Sequence, residues 1–166
     1  MKQEQLSFYT VDMKLIRNMH NQGDDRVFSV SPQVGKDNRP FVGLIVMLND
    51  RQYCVPLSSP KEKHNSMKND VDFMKIYDKD KLIGVLNFNA MIPVSSNVIY
   101  PLDIRPNKMD DPAVARYKKL MTKQLNFCQK NQDTIIRKAN RLYVLITSGK
   151  ATNSLRKRCC DFTRLE

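Results

Sequence analysis

The sequence predicts an α+β fold: a twisted antiparallel β-sheet with helices packed around it and a C-terminal helical hairpin. Two observations carry that prediction. Up to residue 103 the chain offers short β-branched and aromatic runs separated by turn-forming pairs, whereas from Asp111 onward apolar residues recur at helical spacing. No internal repeat or low-complexity linker divides the chain, so residues 1–166 read as one domain.

The elements follow in order. "LSFYTV" at 6–11 mixes β-branched and aromatic residues and predicts a first strand. Asp12 suits the cap of a short helix over 13–21, with Leu15, Ile16 and Met19 on one face. Residues 21–39 are polar and turn-rich, and predict a long loop of the kind that often carries function. Residues 40–48 and 51–57 predict a hairpin around Asn49-Asp50, and 71–77 with 82–88 a second one around "DKDK". "MIPV" at 91–94 and "VIYPLD" at 98–103 add short strands whose prolines favour edges or ends. Asp111 and Pro112 form the cap and first position of a helix carrying Val114, Tyr117, Leu120, Met121, Leu125 and Cys128 at helical spacing. A second helix covers 133–148, with Gly149 as its stop. In the tail, Phe162 and Leu165 are placed to tie the basic end back to the body.

Charge narrows the function. Of 28 Lys and Arg against 17 Asp and Glu, residues 111–166 hold 13 basic and 4 acidic side chains. That basic C-terminal third points to a polyanionic partner, because each neutralised phosphate releases counterions. No apolar run approaches the ~18 residues of a membrane span, and no long apolar segment marks a secretory signal. Cys54, Cys128, Cys159 and Cys160 make no CxxC pair, and with two histidines in all no zinc site or other cofactor is expected. Reduced thiols in a cytoplasm are the simplest reading.

"PLSSPKEKHN" at 56–65 is the stretch most suggestive of chemistry. Ser59 before Pro60 has the form of a helix start, serine as cap and proline in the first helical position. The same geometry suits an anion, since free amides and the helix dipole face whatever sits beside Ser59. Ser58 adds a hydroxyl and Lys61 a full charge. A Ser-His-Asp hydrolase is poorly supported: no GxSxG turn is present, and His64 lies on the same short segment. RNA cleavage asks less, because the substrate's own 2′-OH can attack its phosphate while the protein aligns, neutralises and moves protons.

The blocks "FYTV" (8–11), "PLSSPKEKHN" (56–65), "GVLNFNAMIPV" (84–94), "YKKLMTKQLNFCQKN" (117–131) and "CDF" (160–162) follow the order and spacing of one family. Over roughly residues 6–165 the chain resembles the ToxN/AbiQ toxin endoribonucleases of type III toxin–antitoxin systems, with the CptN-like branch as a candidate within it. The resemblance implies a metal-independent nuclease, without cofactor, that leaves a 2′,3′-cyclic phosphate on cellular or phage RNA. It further implies a partner, a repeated pseudoknot RNA antitoxin that the toxin processes and that holds it in a closed oligomer, with release during phage infection.

By the same resemblance Ser59 stands for the active-site serine and Lys61 for its neighbouring lysine, with Ser58 where relatives often carry threonine. His64 and Asn65 match a following His-Asn, with Lys63 just before them. Arg39 takes a basic position that meets RNA, Tyr9 belongs to the first-strand motif, and Lys123 and Gln124 to the helical one. The expected catalytic set is therefore Ser59, Lys61, Ser58 and His64. Arg39, Tyr9, Lys63, Asn65, Lys118, Lys119, Lys123 and Gln124 form the expected RNA-binding set, and Arg137, Lys138 and Arg141 extend the basic helices. Tyr117 and Tyr143, at core-type spacing, read as packing residues. Two family aromatics are missing, one replaced within "QVGKDN" and one by Leu15, which removes a stacking platform at those places. The competing readings are a non-catalytic RNA-holding module, which would bind in a salt-sensitive way without making product, and a basic scaffold that does neither.

Overall fold

Turn chemistry sets the strand boundaries of this molecule. The computed structural model describes residues 2–28 and 41–166. Among the described residues seven strands form: β1 (Phe8–Val11), β2 (Phe41–Leu48), β3 (Arg51–Ser58), β4 (Phe73–Asp78), β5 (Lys81–Asn87), β6 (Ile92–Val94) and β7 (Ile99–Pro101). Asn49 and Asp50, at φ 50° and 60°, supply the left-handed pair that a two-residue hairpin between β2 and β3 needs. Lys79, at φ 55°, serves the turn between β4 and β5. The strands pair antiparallel in the order β4-β5-β3-β2-β1-β7, with β6 also on β3.

β3 is the hub. One edge pairs with β2 from Arg51 to Pro56, while the other pairs with β6 at Gln52–Cys54 and with β5 at Leu57–Ser58. Pro56 falls in the gap between those two partners, where a missing N–H breaks no ladder bond. Opposite it, Gly43 is required by space: a Cβ there would lie 2.4 Å from the Val55 carbonyl oxygen and 2.6 Å from Cys54 Sγ.

Among the described residues five α-helices surround the sheet: α1 (Met13–Asn18), α2 (Pro112–Lys130), α3 (Gln132–Thr147), α4 (Asn153–Arg158) and α5 (Phe162–Leu165). Asp12 caps α1 by accepting from the Lys14 amide at 2.8 Å. Asp111 caps α2 by accepting from the Val114 amide at 2.9 Å, with Pro112 in the first turn. The expected single helix over 13–21 instead widens after Asn18 into a π-helical turn, Met19–Gly23, closed by the Asp24 amide on the Met19 carbonyl at 2.7 Å. The extra residue brings the Asp24 carboxylate to Arg26 (2.7 Å) and to the Asp161 amide (2.6 Å). Residues 29–39 of the expected long loop, and Pro40 at the start of the expected strand, lie outside the described residues.

Ile135, Ala139, Leu142 and Tyr143 of α3 are buried, as are Met121 and Cys128 of α2. The tail does tie back. Phe162 is fully buried, stacked on Tyr143 at 5.9 Å and edge-on to Tyr53 at 5.8 Å. Both tyrosine hydroxyls donate to the Glu166 carboxylate, at 2.6 and 2.9 Å. The four cysteines are free and buried. Among the described residues no helix is long and apolar enough to cross a membrane.

Candidate active site

β3 ends where its last two residues meet β5, and the chain then leaves the sheet through Ser59 and Pro60. The following 3-10 turn is Glu62–Asn65, and its N-cap is Lys61, which is extended at φ −104° and ψ 161°. Ser59 is therefore not the cap that the Ser-Pro pair suggested. Two residues, Pro60 and Lys61, separate it from the turn, and the cap is closed from within. The His64 amide donates to the Lys61 carbonyl at 2.9 Å, and the Lys61 amide donates to His64 Nδ1 at 2.8 Å. Histidine here occupies the position that Glu or Gln takes in a capping box. The anion-binding amides expected at 59–61 shrink accordingly. Pro60 has none and that of Lys61 is committed, which leaves the Ser59 amide. A turn of four residues adds little dipole.

His64 also changes character. It is only 6% exposed, with its ring 6.4 Å from that of Phe73. Burial, then the charges of Lys63, Lys61 and Lys75, hold its pKa below the ordinary 6.5. A ring nitrogen that accepts from an amide carries no hydrogen, so the neutral ring is protonated on Nε2. In this geometry the residue expected to move protons holds the Lys61 backbone instead.

Ser58, Ser59, Pro60 and Lys61 face α2 across a cleft of about 330 Å³, which Val42, Leu57, Tyr117, Leu120, Met121 and Gln124 complete. Ser59 and Lys61 are exposed, and neither side chain has a hydrogen-bond or ion-pair partner among the described residues. Ser58 Oγ accepts from Asn87 Nδ2 at 3.0 Å. Gln124 is 4% exposed, and its Nε2 donates to the Ile83 carbonyl at 2.7 Å. Gly84 makes room for that amide, since a Cβ there would lie 2.9 Å from Nε2. Tyr117, read from spacing as a packing residue, is 46% exposed on the cleft wall. Tyr143 does pack.

The remaining expected residues spread out. Lys63 and Asn65 are exposed on the capped turn beside the cleft. Lys118 is committed to Asp110 at 3.0 Å and to the Arg105 carbonyl at 3.0 Å, and Lys123 pairs with Asp78 at 3.1 Å. Lys119 is exposed on α2. Tyr9 is opposite Gly43 in the sheet and lines a second depression with Gln3, Ser7, Ile45 and Met47, away from the serines. Arg39 lies outside the described residues. Sequence reasoning missed Asn87 and undervalued Tyr117. The first lay in plain view inside "GVLNFNAMIPV", but its contact with Ser58 spans 29 residues.

A family profile described as "Toxin ToxN, type III toxin-antitoxin system" matches residues 7–166. The chain is 33% identical over 164 residues to the endoribonuclease ToxN of Bacillus thuringiensis subsp. kurstaki, covering 96% of this chain and 80% of that one. It is 28% identical over 165 residues to the endoribonuclease ToxN of Pectobacterium atrosepticum, covering 97% and 90%. Two solved structures share the fold. One is AbiQ, described as a lactococcal anti-phage endoribonuclease of a type III system (TM-score 0.79, 25% identity, 98% and 94% covered). The other is a type III toxin described as selectively inhibited by a non-coding RNA pseudoknot (TM-score 0.77, 30% identity, 98% and 94% covered).

Proposed function

The chain belongs to the ToxN family of type III toxin–antitoxin endoribonucleases, and we propose that it cuts single-stranded RNA by attack of the substrate's 2′-OH, without metal, leaving a 2′,3′-cyclic phosphate. Membership sets aside the holding-only and scaffold readings. The observation that carries the mechanism is one cleft walled by the 58–61 segment on one side and by Tyr117 and Gln124 on the other.

In this reading the scissile phosphate sits against Ser59, whose hydroxyl and amide donate to its oxygens. The attacking 2′-OH passes its proton to a non-bridging oxygen of the phosphate, while the Lys61 ammonium offsets the charge that builds as the phosphorus becomes five-coordinate, gives a proton to the departing 5′-oxygen and is reprotonated from water. Ser58 donates from the floor. His64 positions Lys61 rather than exchanging protons itself. Tyr117 offers a ring for a flanking base, while Gln124 shapes the wall. Lys63, Asn65 and Lys119 meet the backbone on either side, as do Arg39 and Tyr9 along longer RNA, with Lys118 and Lys123 contributing field from their ion pairs. The whole chain acts as one domain in the bacterial cytoplasm. A repeated pseudoknot RNA, processed by the toxin, fills the cleft and closes toxin and RNA into a ring-like complex, and its loss during phage infection frees the nuclease.

The test is cleavage of a single-stranded RNA pool in EDTA by the parent protein and by Ser59→Ala. Cyclic-phosphate ends made by the parent alone are expected. Full-rate cleavage by the alanine variant, or loss of parental activity in EDTA, would remove the scheme.

A further inference from the structure

We infer that Asn87 is a positioning residue that sets the direction of the Ser58 hydrogen bond, fixing the hydroxyl as a donor toward the cleft. The inference rests on the nuclease reading of that cleft and adds to it a residue to which no role had fallen.

The orientation of the Asn87 amide follows from its neighbours. Nδ2 lies 3.0 Å from Ser58 Oγ and 3.5 Å from both the Pro56 and Val85 carbonyl oxygens. Turning the amide over would set its oxygen against two carbonyl oxygens, so the nitrogen faces Ser58. An amide N–H donating to Oγ occupies a serine lone pair and turns the hydroxyl hydrogen elsewhere. Ser58 lines the cleft beside Ser59 and Lys61, so that hydrogen is available to an anionic oxygen there. Left to rotate, a hydroxyl would present a lone pair to a phosphate as readily as a proton.

The mount is rigid. Phe88 is fully buried. Asn89 donates through its amide to the Asp72 carbonyl at 3.1 Å and through Nδ2 to the Asp72 carboxylate at 3.1 Å, and its carbonyl accepts from the Cys160 amide at 2.8 Å. Asp72 in turn takes the Arg158 guanidinium at 2.7 Å. Asn87 therefore stands at the head of a turn pinned on both sides, and the Ser58 hydroxyl inherits that order.

The substitution that isolates this role is Asn87→Asp, nearly isosteric but acceptor-only when ionised. Ser58 would then donate to the carboxylate and show its lone pairs to the substrate. The experiment measures RNA cleavage by the parent, N87D, N87A, S58A and the double variants S58A/N87D and S58A/N87A, each with its melting temperature, between pH 5 and 8. N87D is expected to lose about 100-fold in rate, as on removal of one donor to a developing anion, and to narrow that gap to the parent at the same pH toward pH 5 as the new carboxyl takes up a proton. In the S58A background neither Asn87 change should cost more than about twofold, because the residue acts through Ser58. If N87D does not fold, the N87A pair decides the same question. Full activity of folded N87D overturns the inference, as does an equal loss with and without the Ser58 hydroxyl. A parent that cleaves no RNA overturns the nuclease reading and the role of Asn87 with it.

Discussion

Two polar regions of this molecule use similar groups in opposite ways. Around the C-terminal segment three carboxylates are matched, two of them, Asp24 and Asp72, taken out of water and the third, Glu166, only partly covered. Asp24 accepts from Arg26 and from the Asp161 amide, Asp72 from Arg158 and Asn89, and Glu166 from Tyr53 and Tyr143. At Asp24, burial works against ionisation, yet the Arg26 and Asp161 hydrogen bonds hold the acid below its ordinary range. At the end of β3 Ser58 and His64 are tied, while among the described residues Ser59 and Lys61 stand open. A closed polar set fixes the chain on itself, and an open one waits for a ligand. Polarity alone says little about function; the state of satisfaction says more.

The sharpest way to break this comparison is to exchange consequences between the two regions. Lys61→Ala should reduce RNA cleavage by about 100-fold or more, with a melting temperature close to the parent's, since the ammonium holds nothing in the fold. Asp72→Ala should do the reverse. It leaves a half-exposed Arg158 and Asn89 without their acceptor and should cost about 2–3 kcal/mol, a melting shift of roughly 5–10 °C, with cleavage at low temperature falling far less. A Lys61 variant that melts early, or an Asp72 variant that is stable and inactive, would erase the distinction.

The boundary case is His64, which serves the fold of the site. Its folded-state pKa lies below the unfolded value of 6.5, so its contribution is complete above that pH and is lost as pH falls through the folded value. Cleavage should therefore decline in acid as the protonated ring gives up the Lys61 amide. His64→Gln, which keeps an acceptor at the third position of the turn, should retain activity within a few-fold and abolish that acid limb. His64→Ala should lose about fivefold at neutral pH, in line with the ~1 kcal/mol of a lost cap. An unchanged acid limb in the glutamine variant would show that His64 is not its source.

The smallest effect separates open from committed lysines on α2. Lys119→Ala should lower the salt dependence of RNA binding by about one unit of slope. Lys123→Ala, whose ammonium is shared with Asp78, should lower it less. Equal slopes would mean that the Asp78 pair opens on binding.

The fold was legible wherever a local rule decided it. Asn49-Asp50 announced a left-handed turn, and Asp111-Pro112 a helix start; both describe a few consecutive residues, and both turns formed. Ser59-Pro60 announced a cap by the same rule, but β3 pairs with β5 up to Ser58 and draws the next residues out straight, so the cap moved to Lys61. The candidate site was legible as a segment and not as an arrangement. Asn87 reaches Ser58 only because β5 lies beside β3, and Tyr117 is exposed because that stretch of α2 borders the cleft rather than the core. The π-helical turn at Met19–Gly23 depends on Asp161, more than a hundred residues away, and no window of sequence contains it.

The pairing of β3 has a consequence for how the molecule breathes. β2 meets β3 along Gly43–Leu48, but among the described residues the β4–β5 hairpin pairs with the rest of the sheet only at Leu57 and Ser58, stitched further by Gln124 on Ile83 and Lys123 on Asp78. Segments held by so short a seam exchange their amide hydrogens through small openings, well before the whole molecule unfolds. Ser58, Asn87 and Gln124 all lie on that seam. A local opening too slight to disturb the aromatic cluster around Tyr53 would scatter the cleft's parts, so the interval during which this enzyme is armed is set by its weakest ladder and not by its strongest.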